Sequence, residues 1–338
     1  MDAAAAGGGT SMGVRHPWAS DLSGTTLAVL GDPIADVYIL GRPTHVSREA
    51  PVLVIDFESE QLLPGGAANT ANNLLSLGAK VVFAGACGED ERGERLRDLL
   101  RKAGADVEAL LGAPPMRTVA KMRVLAGDAH RTKQHIVKVN YAPGGAPAGG
   151  HWEEMRRHLD GRRGALRGVV LSDYGYGSIG PSLISWAKSL PGIPVVADSR
   201  HRLDAFSGIT AVTPNEEEAG SLLGRSISGN EEASRAARDI LERLGTKMVL
   251  LTRGNAGMVL AERSGRTTVI PAAGPSTVTD VSGAGDTVTA VFTLALSCGA
   301  DPVEAARLSN EAAGVVVLKP GVATLTRAEW GAVAGFVP

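Results

Sequence analysis

Short apolar runs rich in β-branched residues alternate along this chain with stretches whose apolar positions recur every three to four residues. The first kind reads as buried strand and the second as helix. Strands are predicted at residues 26–30, 81–86, 168–172, 195–198, 211–213 and 248–252. Helices are predicted at 67–77, 91–103, from 181, from 215, and at 231–244, 284–297, 302–318 and 327–336. Such alternation implies an α/β domain whose mainly parallel sheet is covered by helices on both faces.

Two segments depart from that rhythm. Residues 42–60 and 116–141 combine Val and Ile with alternating polar positions and show no helical period, so they read as antiparallel strands. Being apart in the sequence, they can pair into a small separate sheet that covers a site as a lid; the plainer reading is ordinary edge strands. Residues 1–22 are rich in Ala and Gly and lack the basic and then apolar profile of a signal peptide. They read as a disordered tail before one domain over 23–338.

Composition narrows the function. With 338 residues, 44% of them hydrophobic, the chain can bury a large core. A formal net charge of −2 gives no electrostatic case for nucleic acid or an anionic membrane as partner. No apolar run reaches the ~18 residues of a membrane span. Two cysteines, Cys87 and Cys298, are sparse usage that fits a reducing, cytoplasmic compartment better than a disulfide framework. CxxC and HExxH metal patterns are absent. The dipeptide Gly-Lys never occurs, which removes the P-loop, and the segment at Gly283 lacks the third Gly of the dinucleotide fingerprint. A dinucleotide oxidoreductase is therefore disfavoured.

The chemistry concentrates in Gly283-Ala284-Gly285-Asp286, which opens a predicted helix with Val288, Val291, Phe292 and Ala295 on one face. Backbone N–H groups at a Gly-rich helix start, with the positive end of the dipole, form an anion site. The same field is expected to keep Asp286 ionised. An ionised Asp beside a phosphate-sized anion hole suits phosphoryl transfer to an alcohol, the carboxylate accepting the hydroxyl proton. Taken alone, the four residues read more simply as a Gly-rich turn with a first-turn Asp.

Their companions change that weighing. The segment from Asp280 to Asp286 resembles the D-x-x-G-A-G-D signature of the ribokinase-like (PfkB) carbohydrate kinases. Gly31-Asp32 through Asp36 resembles the family's opening G-D-x-x-x-D, and Gly65-Gly66-Ala67-Ala68-Asn69 its Gly-Gly and Asn element. Asn215 to Glu218 resembles its N-x-x-E, Thr252-Arg253-Gly254-Asn255-Ala256-Gly257 its nucleotide-side loop, and Ser309-Asn310-Glu311 its late helix at the adenine. The resemblance implies a three-layer α/β/α fold with a β-sheet lid, ATP as co-substrate with Mg2+, and a homodimer formed through the lid. It implies Asp286 as base and Gly283, Ala284 and Gly285 as anion hole. Asp36, Gly65, Gly66 and Asn69 would hold the sugar. Thr252, Gly254, Gly257 and Asn310 would line the nucleotide. Asn215 and Glu218 would serve its phosphates and, through water, Mg2+; the pair also reads as an N-cap Asn with first-turn acids. Asp280 and Ser282 resemble positions near a monovalent-cation site, K+ in some relatives.

Within this family the chain is similar to the kinase domain of the ADP-heptose pathway, which phosphorylates D-glycero-D-manno-heptose 7-phosphate at O1. The likeness lies in Val46-Ser47-Arg48-Glu49-Ala50-Pro51-Val52, Lys121-Met122-Arg123-Val124-Leu125, Ser172-Asp173-Tyr174, and the stretches 281–288 and 312–321. A sugar already bearing a phosphate needs cations at its far end, for which Lys121, Arg123, Lys138 and Arg200 are candidates; Asp173 is a further substrate-side candidate. Those basic residues read equally as solvated lid surface. Departures cluster on the same side: Lys138 stands for an Arg, Asn140 for an Asp, Tyr176 for a Lys, and Asp198-Ser199-Arg200-His201 for D-P-K-G. They leave open a kinase for another sugar, sugar phosphate or nucleoside. An H-x-G-H motif does not occur among the seven His, so adenylyl transfer is not expected. A reading of another class is a catalytically silent sugar- or nucleotide-binding relative, against which the intact Asp286 turn argues.

Overall fold

The computed structural model describes residues 16–127, 133–274 and 279–336. Thirteen strands fall into two sheets among them: β1 (Thr26–Gly31), β2 (Pro33–Val46), β3 (Leu53–Gly66), β4 (Lys80–Cys87), β5 (Asp106–Gly112), β6 (Ala120–Ala126), β7 (Gln134–Tyr141), β8 (Leu166–Asp173), β9 (Val195–Ser199), β10 (Ala211–Val212), β11 (Met248–Thr252), β12 (Met258–Glu262) and β13 (Thr267–Ile270). The larger sheet runs β13-β12-β11-β10-β9-β8-β1-β4-β5. Its strands run in one direction except β12, which pairs antiparallel with both β11 and the edge strand β13.

β1 lies between β4 and β8, where the chain's progress across the sheet reverses direction. In open α/β sheets, ligands bind beyond the carboxyl ends of the strands at such a switch point. The pleat sends alternate β1 residues to opposite layers. Leu27 and Val29 pack against α1 (Ala67–Ser76), α2 (Glu91–Lys102), α7 (Ala284–Ser297), α8 (Pro302–Val316) and α9 (Arg327–Ala334). Ala28 and Leu30 belong to the opposite core, with α3 (Gly149–Asp160), α4 (Pro181–Lys188), α5 (Glu216–Leu223) and α6 (Gly229–Leu244). Residues from Asp286 to Ala295 are all buried, so α7 is covered on every side and its first turn is a rigid platform.

The two irregular segments do form a separate sheet, in the order β3-β2-β6-β7. It is mixed, with β2 and β6 parallel and the outer pairs antiparallel. Its strands reach further inward than the expected 42–60, because β2 departs from β1 after a single residue, Asp32. The inner ends of β2 and β3 are buried; their outer ends and all of β7 are exposed.

The expected tail needs a correction at its C-terminal end. Residues 1–15 lie outside the described residues, but Pro17–Ser20 is a 3-10 turn packed on the domain. Ala19 and Leu22 are buried in the α1/α7 core, and the Ala19 carbonyl accepts the indole N–H of Trp330 at 3.1 Å. The folded domain therefore begins before residue 23. β5, α3 and the β12–β13 hairpin had no counterpart in the sequence reading. Cys87 and Cys298 are both free thiols.

Candidate active site

Asp286 stands in the first turn of α7 behind Gly283, whose φ of 81° starts the helix from the left-handed region. It lies on the wall of a cavity of about 360 Å3 at the carboxyl ends of β1, β8 and β9. Its carboxylate is held from two sides: Asn69 Nδ2 donates to Oδ2 at 2.9 Å, and the Tyr174 hydroxyl donates to Oδ1 at 2.8 Å. Burial pushes the carboxyl up to about 6, against the opposing effect of these two donors; nearby Asp36 adds to the rise and Lys121 counters it. Desolvation thus outweighs the donors and raises the proton affinity of Asp286, although a group near 6 is still mostly ionised at neutral pH. A carboxylate with this affinity for protons is the stronger base at neutral pH.

The Gly turn supplies fewer free amides than expected. The Ala284 N–H turns back to the Val281 carbonyl at 3.3 Å. The amides of Gly285 and Asp286, by contrast, fall in the first helical turn, where no intrahelical partner exists. A Cβ on Gly285 would meet open space, and both Gly283 and Gly285 face the cavity. The unpaired amides of the turn are therefore those of Gly285 and Asp286.

On the lid side, Asp36 and Arg123 form a mostly buried ion pair. Gly65 is needed beneath it, since a Cβ there would lie 1.9 Å from Asp36 Oδ2. Gly66, with φ of 57°, lets β3 turn directly into α1 and lines the cavity. Asn69 faces the Asp286 carboxylate rather than open space, and its Oδ1 accepts from Asn73 Nδ2 at 3.3 Å. Lys121 and Arg200 lie over the Tyr174 ring, 5.1 and 5.0 Å from its centroid, and line the cavity. Neither has a carboxylate within ion-pair distance among the described residues. Lys138 is not brought to the cavity: it sits on exposed β7, paired in register with Arg123. Asp173 lines the cavity, yet its carboxylate is taken up by Arg202 at 2.6 Å and Ser199 at 2.7 Å, so it braces the wall.

On the opposite side, Asn215 and Glu218 form a reciprocal capping box at the start of α5. The plainer reading of this pair is therefore realised, although both residues also line the cavity. Burial raises Glu218 above the usual carboxylate range. Thr252 ends β11 at the cavity, its N–H bonded to the Pro214 carbonyl at 2.8 Å. Gly254, Gly257 and Asn310 lie outside this cavity. Gly254 opens a 3-10 turn, and a Cβ on Gly257 would strike the Ile270 carbonyl at 2.1 Å. Asn310 spends its amide on the Pro271 carbonyl at 2.8 Å, holding the segment after β13 against α8. Asp280 accepts N–H bonds from Ser282 at 2.9 Å and Gly321 at 3.1 Å, which hold it below the usual carboxylate range.

Three site residues had no role in the sequence reading. Tyr174 stands in the sequence only as one member of a motif, yet its hydroxyl touches the Asp286 carboxylate. Asp198 is half-buried in the cavity wall, its carboxyl pushed well above the usual range by desolvation and by Glu218 and Asp286. Asp32 sits in the opening motif; its carboxylate accepts three backbone N–H bonds from residues 174–178. An Asp directly after a buried strand was the available signal, but its partners lie more than 140 positions away.

Residues 26–146 and 183–329 match the family described as pfkB family carbohydrate kinase. The bifunctional protein HldE of Pelobacter propionicus is 38% identical over 308 residues, covering 89% of this chain and 61% of that protein. The namesake from Caulobacter sp. strain K31 is 36% identical over 312 residues, covering 91% of this chain and 62% of its own length. The chain thus spans about three fifths of the length of these relatives. Among solved structures, Arabidopsis thaliana ribokinase complexed with ribose and ATP superposes with a TM-score of 0.71 at 23% identity, covering 92% of this chain and 99% of the other. Escherichia coli phosphofructokinase-2 in complex with potassium does so at 0.72 and 20% identity, covering 92% and 97%. These likenesses establish a ribokinase-like fold.

Proposed function

Since the chain belongs to the pfkB family of carbohydrate kinases, we propose that it transfers a phosphoryl group from ATP to O1 of D-glycero-D-manno-heptose 7-phosphate, giving the 1,7-bisphosphate. The observation that carries the reading is the position of Asp286, a buried carboxylate with raised proton affinity beside the free amides of the α7 start. Asp286 takes the proton of the attacking sugar hydroxyl. The Gly285 amide and the α7 dipole stabilise charge on the phosphoryl oxygens in flight. Asp36 and Gly66 position the sugar, and Lys121 and Arg200 supply the cationic end for the phosphate it already carries. Thr252, Gly254, Gly257 and Asn310 shape the nucleotide side.

Among the described residues there is no cluster of three His, Cys, Asp or Glu able to hold a metal by itself. The donor set fits Mg2+ accompanying the nucleotide, with Glu218 reaching it through water. Mg2+ would neutralise charge on the phosphates. The ionised Asp280, with Ser282 beside it, fits a monovalent cation such as K+ near the turn.

The lid suits self-association. Val46, Leu53, Phe57 and Val137 are all exposed on its strands, with Phe57 66% accessible. An exposed sheet with such residues is covered in stable proteins by a partner, here a second copy. No helix among the described residues is long and apolar enough to cross a membrane.

The deciding measurement is ADP release from ATP with heptose 7-phosphate, fructose 6-phosphate, ribose and nucleosides. Turnover highest with the heptose phosphate is expected. A different preferred sugar sustains the kinase and replaces its substrate, an outcome favoured by Tyr176 and Lys138 standing where the heptose enzymes have Lys and Arg. ATP binding without turnover on any sugar would favour the silent binder. Asp286→Asn should lower turnover by several orders of magnitude and leave ATP affinity nearly unchanged.

A further inference from the structure

The loop between β8 and α4 carries the hydroxyl that touches the base, and one buried side chain holds that loop. Asp32 is 1% exposed. Its Oδ2 accepts the N–H groups of Tyr174 at 2.9 Å and Tyr176 at 3.0 Å, and its Oδ1 that of Ser178 at 2.9 Å. Its backbone ties the same three elements together: the Asp32 N–H donates to the Ser172 carbonyl at the end of β8, and its carbonyl accepts the Ala67 N–H at the start of α1. The loop cannot form this nest without Gly175 and Gly177, whose φ values of 83° and 97° turn successive amides toward one point. Tyr174 is then fixed at both ends, by its backbone to Asp32 and by its hydroxyl to Asp286.

We propose that Asp32 is a positioning residue for catalysis: through the 174–178 loop it sets Tyr174 so that the phenol hydroxyl holds Oδ1 of Asp286 and tunes its basicity. The proposal rests on Asp286 being the base. Tyr174 is a permanent donor, because burial and the charges of Asp286 and Asp198 keep its phenol protonated far above neutral pH. A donor fixed on an ionised carboxylate favours the charged form. Removing it leaves the burial of Asp286 opposed by Asn69, the long Thr70 hydroxyl contact at 3.5 Å and the charge of Lys121. The other charged groups facing Asp286 are Asp36 from β2, Lys121 from β6 and Asp198 from β9, and none of them is hydrogen-bonded to the Tyr174 hydroxyl. Lys121 and Arg200 flank the ring and keep it in place whether or not it carries its hydroxyl.

The test is the pH dependence of kcat/KM for the best sugar acceptor, whose acid limb reports the base in the free enzyme. Tyr174→Phe deletes one atom and should lower kcat and move the acid limb upward by roughly one pH unit. Asp32→Asn puts an NH2 group against backbone donors, and Asp32→Ser is too short to reach them. Either should move the limb in the same direction, and combining either with Tyr174→Phe should add little further shift. A limb that stays in place in Tyr174→Phe overturns the proposal. So do Asp32 variants that lower the melting temperature with an unmoved limb, since that is what a merely structural clamp gives. Asp286→Asn separates the two readings. If it keeps its activity, the base assignment falls; if it is inactive while Tyr174→Phe keeps the wild-type profile, only the present inference falls.

Discussion

A Cβ placed on Gly283 would lie 2.5 Å from Nδ2 of Asn69, the atom that donates to the base. The helix start and the base's hydrogen-bond partner are thus packed to the limit of what a hydrogen atom allows. Gly283 also carries a φ of 81°, which costs other residues about 1–2 kcal/mol. Gly283→Ala should lose at least that much stability and push Asn69 off Asp286. The expected result is a lower melting temperature together with a fall in kcat larger than the change in KM for ATP.

The Asp36–Arg123 pair makes a second prediction. Both side chains are mostly buried, and burial alone raises the Asp36 carboxyl while Arg123 lowers it. Arg123→Ala strands a buried carboxylate and should cost about 3–5 kcal/mol at neutral pH. Asp36→Asn combined with Arg123→Met should recover most of that loss in urea unfolding, while sugar binding stays impaired.

The base is held at the expense of the fold. For Asp286 the folded value, about 6, lies above the ordinary value of 3.8. The native state therefore binds the proton more tightly than the unfolded chain. Stability from this group is fully present below pH 4 and is lost as pH rises through 6. Asp286→Asn should accordingly be more stable than the parent at pH 8, by up to about 3 kcal/mol, and gain nothing near pH 4. Chemical unfolding at both pH values checks the sign.

The packed segment before β1 gives a fourth. Leu22 and Ala19 are buried and Trp330 is fully covered, its indole N–H bonded to Ala19. A chain beginning at residue 23 should be less stable than one beginning at His16 by about 3–4 kcal/mol, from lost apolar burial and an unpaired indole donor. Equal urea midpoints for the two chains would refute it.

What the sequence made legible follows the range of the forces involved. The bounds of α7 were read to the residue, because a Gly-rich start and an apolar period are local signals. The lid's existence was readable from strand pattern, but not its inner extent, since Gly31-Asp32-Pro33 marks the end of β1 without showing that a second strand starts at once. α3 begins Gly149-Gly150 and has no side-chain cap, so nothing local announced it. At the site, Asp286 and the Gly turn were legible by type and spacing. The raised proton affinity of Asp286 was not, because burial is a property of the assembled core. The Asn215–Glu218 cap was readable from its spacing, whereas Asp173 as an Arg202 partner and Asp32 as a loop clamp depend on contacts that no spacing rule reaches.

The central, fully covered placement of α7 has a consequence for how the protein is made. The sheet face carrying Leu27, Val29 and Val170 packs against Ala290, Val291 and Leu294. Those helix residues leave the ribosome after every strand of both sheets. Until they do, the growing chain displays an apolar sheet surface that α1 and α2 cover only in part, the kind of surface that chaperones bind. It also lacks Asp286. Nascent chains of this kinase are therefore both sticky and inert, and one helix, arriving late, ends both conditions in a single docking step.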